Sequence, residues 1–169
     1  MSKQDYILIL EDDADQMQLL VGLVMEQLRI LVDDVSMSTE QRARLKRVGV
    51  VKVTSIDSLK RAIEQYKSAL VAILDCNVPD RRGEFPKDQF IKSKHRITGQ
   101  HVSVDLVHGN MKDTQIILTS SMNRFKVLVS QHYKQQEDLD LSFINKADLS
   151  GLKRAVRACL RRTILVVNG

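Results

Sequence analysis

The sequence predicts an α/β fold: a doubly wound parallel sheet of five strands with helices on both faces. Short β-rich apolar runs alternate with segments of helical period, the pattern of a parallel sheet covered on both sides. The 169 residues, 43% hydrophobic and 28% charged, match one ordinary globular domain and fit disordered, collagen-like or coiled-coil classes poorly. The polar residues richest in chemistry stand directly after the apolar runs, where open parallel sheets bind their ligands.

The first strand is expected at residues 6–10, followed by a helix on which Met17, Leu20, Val21, Val24 and Leu28 recur at helical spacing. Residues 33–49 then form an irregular region, in which Ser38 and Gln41 make a capping box for a short extra helix rich in Arg and Lys. A second strand is expected at 50–54, then a helix carrying Leu59, Ala62, Ile63 and Tyr66, then a third strand at 70–74. Both prolines, Pro79 and Pro86, follow it in the longest expected loop, together with Gly83 and Gly99. The fourth strand falls at 116–119, a helical segment carries Phe125, Leu128 and Val129, and the fifth strand falls at 141–145. Asp148 can cap a last helix with one apolar stripe of Leu149, Leu152, Ala155, Val156, Cys159 and Leu160. Lys153, Arg157 and Arg161 share another face and read as its basic outer side, and residues 163–169 read as a tail whose Ile164, Leu165, Val166 and Val167 should be covered.

Charge and composition narrow the function classes. The 26 Lys and Arg exceed the 21 Asp and Glu by five, which favours acidic partners. Only 4% of residues are aromatic and none is Trp, which argues against a base-stacking platform. The basic faces at 42–47 and 153–162 read as solvated helix surfaces, and no helix-turn-helix is present, so nucleic acid is not an expected partner. Cys76 and Cys159 have no CxxC or Cys/His ligand spacing and read as reduced thiols of a cytoplasmic protein. The apolar runs are too short to cross a membrane, and His95, His101, His108 and His132 show no ligand spacing.

At the strand ends stand Glu11, Asp12 and Asp13, then Asp75, then Thr119, Ser120 and Ser121, and finally Lys146. Carboxylates crowded at one edge repel unless a hard cation such as Mg2+ neutralises them. With Ile7-Leu8-Ile9-Leu10-Glu11-Asp12-Asp13, Val71-Ala72-Ile73-Leu74-Asp75-Cys76-Asn77-Val78-Pro79-Asp80, Ile116-Ile117-Leu118-Thr119-Ser120 and Phe143-Ile144-Asn145-Lys146 in that order, the chain resembles the receiver domains of two-component response regulators. The resemblance spans roughly residues 5–162 apart from the insertions.

That resemblance implies a flavodoxin-like sheet of strand order 2-1-3-4-5 in a single domain spanning residues 1–169. It implies Asp75 as phosphoacceptor, with Mg2+ held by Glu11, Asp12, Asp75 and the backbone carbonyl of Asn77. Thr119 would hydrogen-bond a phosphoryl oxygen and Lys146 would pair with its charge, while Thr119 and Phe143 would form the conformational switch. The implied partners are a histidine kinase or histidine phosphotransfer protein upstream and an unidentified protein downstream, with homodimerisation open. Only 23 residues follow Lys146, so output through protein contact rather than a DNA-binding domain is expected, and activity no greater than slow self-dephosphorylation.

The sequence also departs from the family. Ala147 follows Lys146 where the family usually has proline, so the geometry of that loop is open. The separation from Asp75 to Thr119, 119 − 75 = 44, is longer than in compact receivers. It implies an insertion at about 81–98, with Gly99 and the residues from His101 to Leu106 restoring a helix, or at about 84–113 if the alignment passes through Gly83. The surplus at 33–49 lies beyond a helix that in the family carries the docking surface for a histidine kinase or phosphotransfer protein, so an added basic helix there is placed to choose the partner or block it. Two other functions stand beside the phosphoacceptor: a non-phosphorylated receiver-like interaction module, and a metal-dependent phosphatase or nuclease, which Asn77 in place of a second Asp disfavours.

Overall fold

The computed structural model describes residues 4–76, 78, 100–111, 113–121 and 141–165. Five strands, β1 (Tyr6–Leu10), β2 (Gly49–Val53), β3 (Val71–Asp75), β4 (Gln115–Ser120) and β5 (Leu141–Asn145), pair in parallel in the order β2-β1-β3-β4-β5. The helices are α1 (Ala14–Val32), α2 (Thr39–Leu45), α3 (Ile56–Tyr66), α4 (Gln100–Asn110) and α5 (Leu149–Leu165). The expected fold class and strand order are those observed.

Alternation along the strands divides the core in two. Ile7, Ile9, Val71, Ile73 and Ile117 face α1 and α5 in one cluster, while Leu8, Leu10, Ala72, Leu74, Ile116 and Leu118 face α3 and α4 in the other. Strands β2 and β3 sit one residue from their expected positions because hydrogen bonding, and not the apolar run, sets their ends. Gly49 N–H donates to Asp5 O at 2.9 Å, and Cys76 N–H donates to Thr119 O at 2.9 Å.

Local signals in the sequence account for the helix starts. Asp13 caps α1 by accepting from Gln16 N–H at 2.9 Å, and Ser38 with Gln41 forms the expected capping box of α2. Asp148 Oδ1 accepts from Gly151 N–H at 2.7 Å and starts α5; an added Cβ at Gly151 would collide with that carboxylate. The apolar stripe of α1 is wider than expected, adding buried Leu23, Gln27 and Leu31, because α1 lies between the sheet on one side and α5 with α2 on the others.

Two expectations about α5 are corrected. Lys153, Arg157 and Arg161 are not merely a solvated outer face: the side chains of Lys153 and Arg161 stay well exposed, yet all three form a row directed at α1 and the inserted segment. Lys153 pairs with Glu26 at 2.8 Å, Arg157 donates twice to Gln27 Oε1 at 2.9 and 2.7 Å, and Arg161 pairs with Asp34. Spacing alone shows that three cations share a face; it does not show that acceptors on another helix meet them. The helix also continues beyond residue 163 to Leu165, with Thr163 Oγ1 donating to Cys159 O at 3.0 Å. Ile164 is buried in the core as expected, whereas Leu165 is exposed. Asn77, the residues from 81 to 98, the segment of Phe125, Leu128 and Val129, and residues 166–169 lie outside the described residues.

Because α1 and α5 run antiparallel to the strands, their first turns lie at the carboxyl edge of the sheet and their last turns at its amino edge. The inserted α2 therefore sits at the amino edge, where Arg44 pairs with Asp5 at 2.6 Å, and not over the strand ends that carry Asp75.

Candidate functional site

Strand periodicity assembles the site. Continuing the alternation of Ile7 and Ile9, Glu11 points to the α1 side of the sheet, as Asp75 does after Val71 and Ile73 and Thr119 after Ile117. Asp75 and Thr119 are directly paired across β3 and β4. Three residues distant in sequence are thus brought side by side at the carboxyl edge.

Burial separates their roles. Glu11 and Asp75 retain 1% and 3% of their exposure and Thr119 none, whereas Asp12 is exposed. Lys146 reaches from the turn after β5 and places Nζ 2.6 Å from Glu11 Oε2 and 3.1 Å from Asp75 Oδ2. The other oxygen of Glu11 accepts from Asp13 N–H at 3.3 Å.

The electrostatics follow from this crowding. Burial raises the Glu11 pKa; the hydrogen bond from Lys146 opposes that rise and the charge of Asp75 adds to it. Burial pulls Lys146 down, but its hydrogen bond to Glu11 and the nearby charge of Asp75 outweigh it and leave its pKa raised. Burial, and after it the Asp75 charge, pushes the Cys76 thiol up strongly, which makes it an inert packing residue.

Glu11, Asp12 and Asp75 each offer an oxygen within 4.8 Å of the others. An all-carboxylate donor set of this kind suits a small hard cation and not a soft one, so the residues fit Mg2+. Thr119 Oγ1 lies 3.5 Å from Leu74 O, the outer limit of a hydrogen bond, so the hydroxyl is held loosely. Phe143 is half-buried against the α3 and α4 core.

One positioning residue was missed by the sequence reading. Asn145 Oδ1 accepts from Ala147 N–H at 2.8 Å, and Lys146 N–H donates to Ser120 O at 2.9 Å, so the turn carrying the lysine is closed by a side chain. The signal was an Asn two residues before a residue that retains its N–H, the pattern of an Asx turn. A proline at 147 would have no such donor.

No protein-family model matches the sequence, and neither does any curated protein. Solved structures do match. The signal receiver domain of a Luxo repressor protein from Vibrio parahaemolyticus is similar at TM-score 0.60 and 19% identity, over 98% of both chains. The signal receiver domain of an HD domain-containing protein from Pseudomonas fluorescens is similar at TM-score 0.59 and 12% identity, over 96% of this chain and 91% of that one. A response regulator from Colwellia psychrerythraea gives TM-score 0.53 and 14% identity, over 94% of this chain and 98% of that one. At such identities the likeness speaks for architecture, and the chain has the flavodoxin-like fold of response regulator receiver domains.

Proposed function

We propose that this chain is a phosphoacceptor receiver of a two-component or phosphorelay system, phosphorylated on Asp75. The observation that carries the reading is the convergence of Glu11, Asp12, Asp75 and Lys146, from three separate strand ends, on one acidic edge of a receiver fold, with Glu11 and Asp75 buried.

An oxygen of Asp75 attacks the phosphorus of the donor, the bond from phosphorus to the donor atom breaks, and that atom leaves with the electron pair. Lys146, already 3.1 Å from Asp75, stays protonated and pairs with the arriving phosphoryl charge. Thr119, paired with Asp75 in the sheet, gives up its weak bond to Leu74 O and donates to a phosphoryl oxygen. Bound by Glu11, Asp12 and Asp75, with the Asn77 backbone carbonyl as a further ligand, Mg2+ would neutralise the negative charge gathered there. Phe143, next to Ile144, the strand partner of Thr119, is placed to sense a movement of that hydroxyl.

The phosphodonor partner would be a histidine kinase or histidine phosphotransfer protein. A groove of about 550 Å³ between α1 and α5 supports this: Asp15 and Leu149, near the acidic edge, and half-exposed Leu19 line it. Output passes through protein contacts, since the row of cations on α5 is engaged by α1 and the inserted segment and is not a free nucleic-acid surface. The chain is not an enzyme on an external substrate; it turns over no more than its own acyl phosphate. Among the described residues no helix is long and apolar enough to cross a membrane, consistent with action in the cytoplasm.

Intact mass after incubation with a small acyl phosphate and Mg2+ tests the proposal. One labile phosphoryl adduct is expected, absent in Asp75→Asn and absent without the cation. An adduct that survives Asp75→Asn would overturn the assignment, and no adduct from either the small donor or a kinase would leave the receiver-like interaction module.

A further inference from the structure

The last two turns of α1 and the inserted α2 leave a groove of about 510 Å³ at the amino edge of the sheet. Leu28, Leu45 and Val48 form its apolar floor, and Met25 stands at its mouth with 52% of its surface exposed. Arg29 and Lys46 border it from α1 and from the residue after α2, both exposed and neither in an ion pair among the described residues. Glu26 also borders the groove, but Lys153 holds it at 2.8 Å.

The contrast with neighbouring cations identifies the occupant. Arg44, Arg157 and Arg161 are each bound by an acceptor of the chain, whereas Arg29 and Lys46 on the borders of the apolar floor are in no ion pair among the described residues, the charge of Arg29 acting only from further off on Glu26. An exposed methionine is a side chain that adapts to a varied apolar surface. Positive borders around such a floor repel a basic segment and attract an acidic one. A second copy, itself carrying a net charge of +5, is poorly matched to this border. The lining of α1 from Met25 to Val32 is about 10 Å long at 1.5 Å per residue, enough for two turns of a bound helix.

We propose that the α1–α2 groove docks an acidic amphipathic helix of a partner protein, whose apolar side chains enter between Met25 and Val48 while its carboxylates meet Arg29 and Lys46. The site lies at the opposite edge from Asp75, so it adds a second recognition surface to the chain and stands or falls independently of phosphorylation.

The test is fluorescence anisotropy of the full chain with a labelled peptide of about 14 residues, near the length at which an isolated helix begins to hold, with Leu at helical spacing and Glu between. The same peptide with Lys in place of Glu is the control. The acidic peptide is expected to bind at least about tenfold more tightly than the basic one, and the double variant Arg29→Glu with Lys46→Glu to lose at least about tenfold in affinity. Met25→Ala should weaken binding by several fold, while phosphoryl adduct formation on Asp75 stays at the level of the unaltered chain in all variants. Equal binding of the two peptides, retained affinity in the double variant, or no binding at millimolar peptide would overturn the proposal. So would a dimer in sedimentation that the double variant breaks, because the groove would then hold a second copy.

Discussion

At the carboxyl edge of the sheet three carboxylates, Glu11, Asp12 and Asp75, share the single ammonium of Lys146. Towards the amino edge three cations have acceptors of their own: Arg44 has Asp5, Arg157 has Gln27, and Arg161 has Asp34. The side chains are alike, but burial and stoichiometry differ. Cations that meet an acceptor one to one hold elements together, and here they tie the insertion and α5 to the rest of the chain. A buried edge with surplus negative charge does not satisfy itself and is ready for a cation or another charged ligand.

The largest effect that breaks the comparison is expected from Lys146→Ala. In cation-free buffer it leaves Glu11 and Asp75 buried without their common counter-charge and should cost about 3 kcal/mol in denaturant unfolding. Arg157→Ala comes next. It leaves Gln27, fully buried, with neither end of its amide bonded among the described residues, a loss of about 1–3 kcal/mol by the same measurement. Arg44→Ala removes a two-pronged but partly exposed pair, and about 1 kcal/mol is expected, diminishing as salt is raised.

A pH series sharpens the contrast, because the two edges respond with opposite sign. The side-chain and backbone hydrogen bonds of Ser36, and after them Arg161, lower Asp34 from 3.8 to about 2. Its contribution to stability is therefore present above 3.8 and lost as the pH falls towards about 2. Glu11 is raised above its ordinary 4.5, chiefly by burial, so the unfolded chain releases that proton first and the contribution of Glu11 declines as the pH rises above 4.5. Stability followed by urea unfolding across the acid range should lose its acid-limb component in Asp34→Asn and its decline above 4.5 in Glu11→Gln.

What was legible in the sequence divides along the same line. The acidic edge could be read because strand ends concentrate function: Glu11, Asp75 and Thr119 each directly follow an apolar run, and Lys146 stands just beyond the last one. The capping box of Ser38 and Gln41 was legible because it is local. The row of Lys153, Arg157 and Arg161 was visible, but its acceptors lie more than a hundred residues away on α1 and in the insertion, and periodicity carries no such information. For the same reason the burial of Gln27 on α1 is invisible to periodicity. The position of α2 at the amino edge followed only once the direction of α1 relative to the sheet was fixed.

The most direct test of the contrast is the unfolding temperature as Mg2+ is added at constant ionic strength, for the unaltered chain and for Asp12→Asn with Asp75→Asn. If the carboxyl edge is a cation site, the midpoint of the unaltered chain rises with Mg2+ and levels off at saturation, while the double variant stays flat. A flat response of the unaltered chain, or an equal rise in both, would contradict the account.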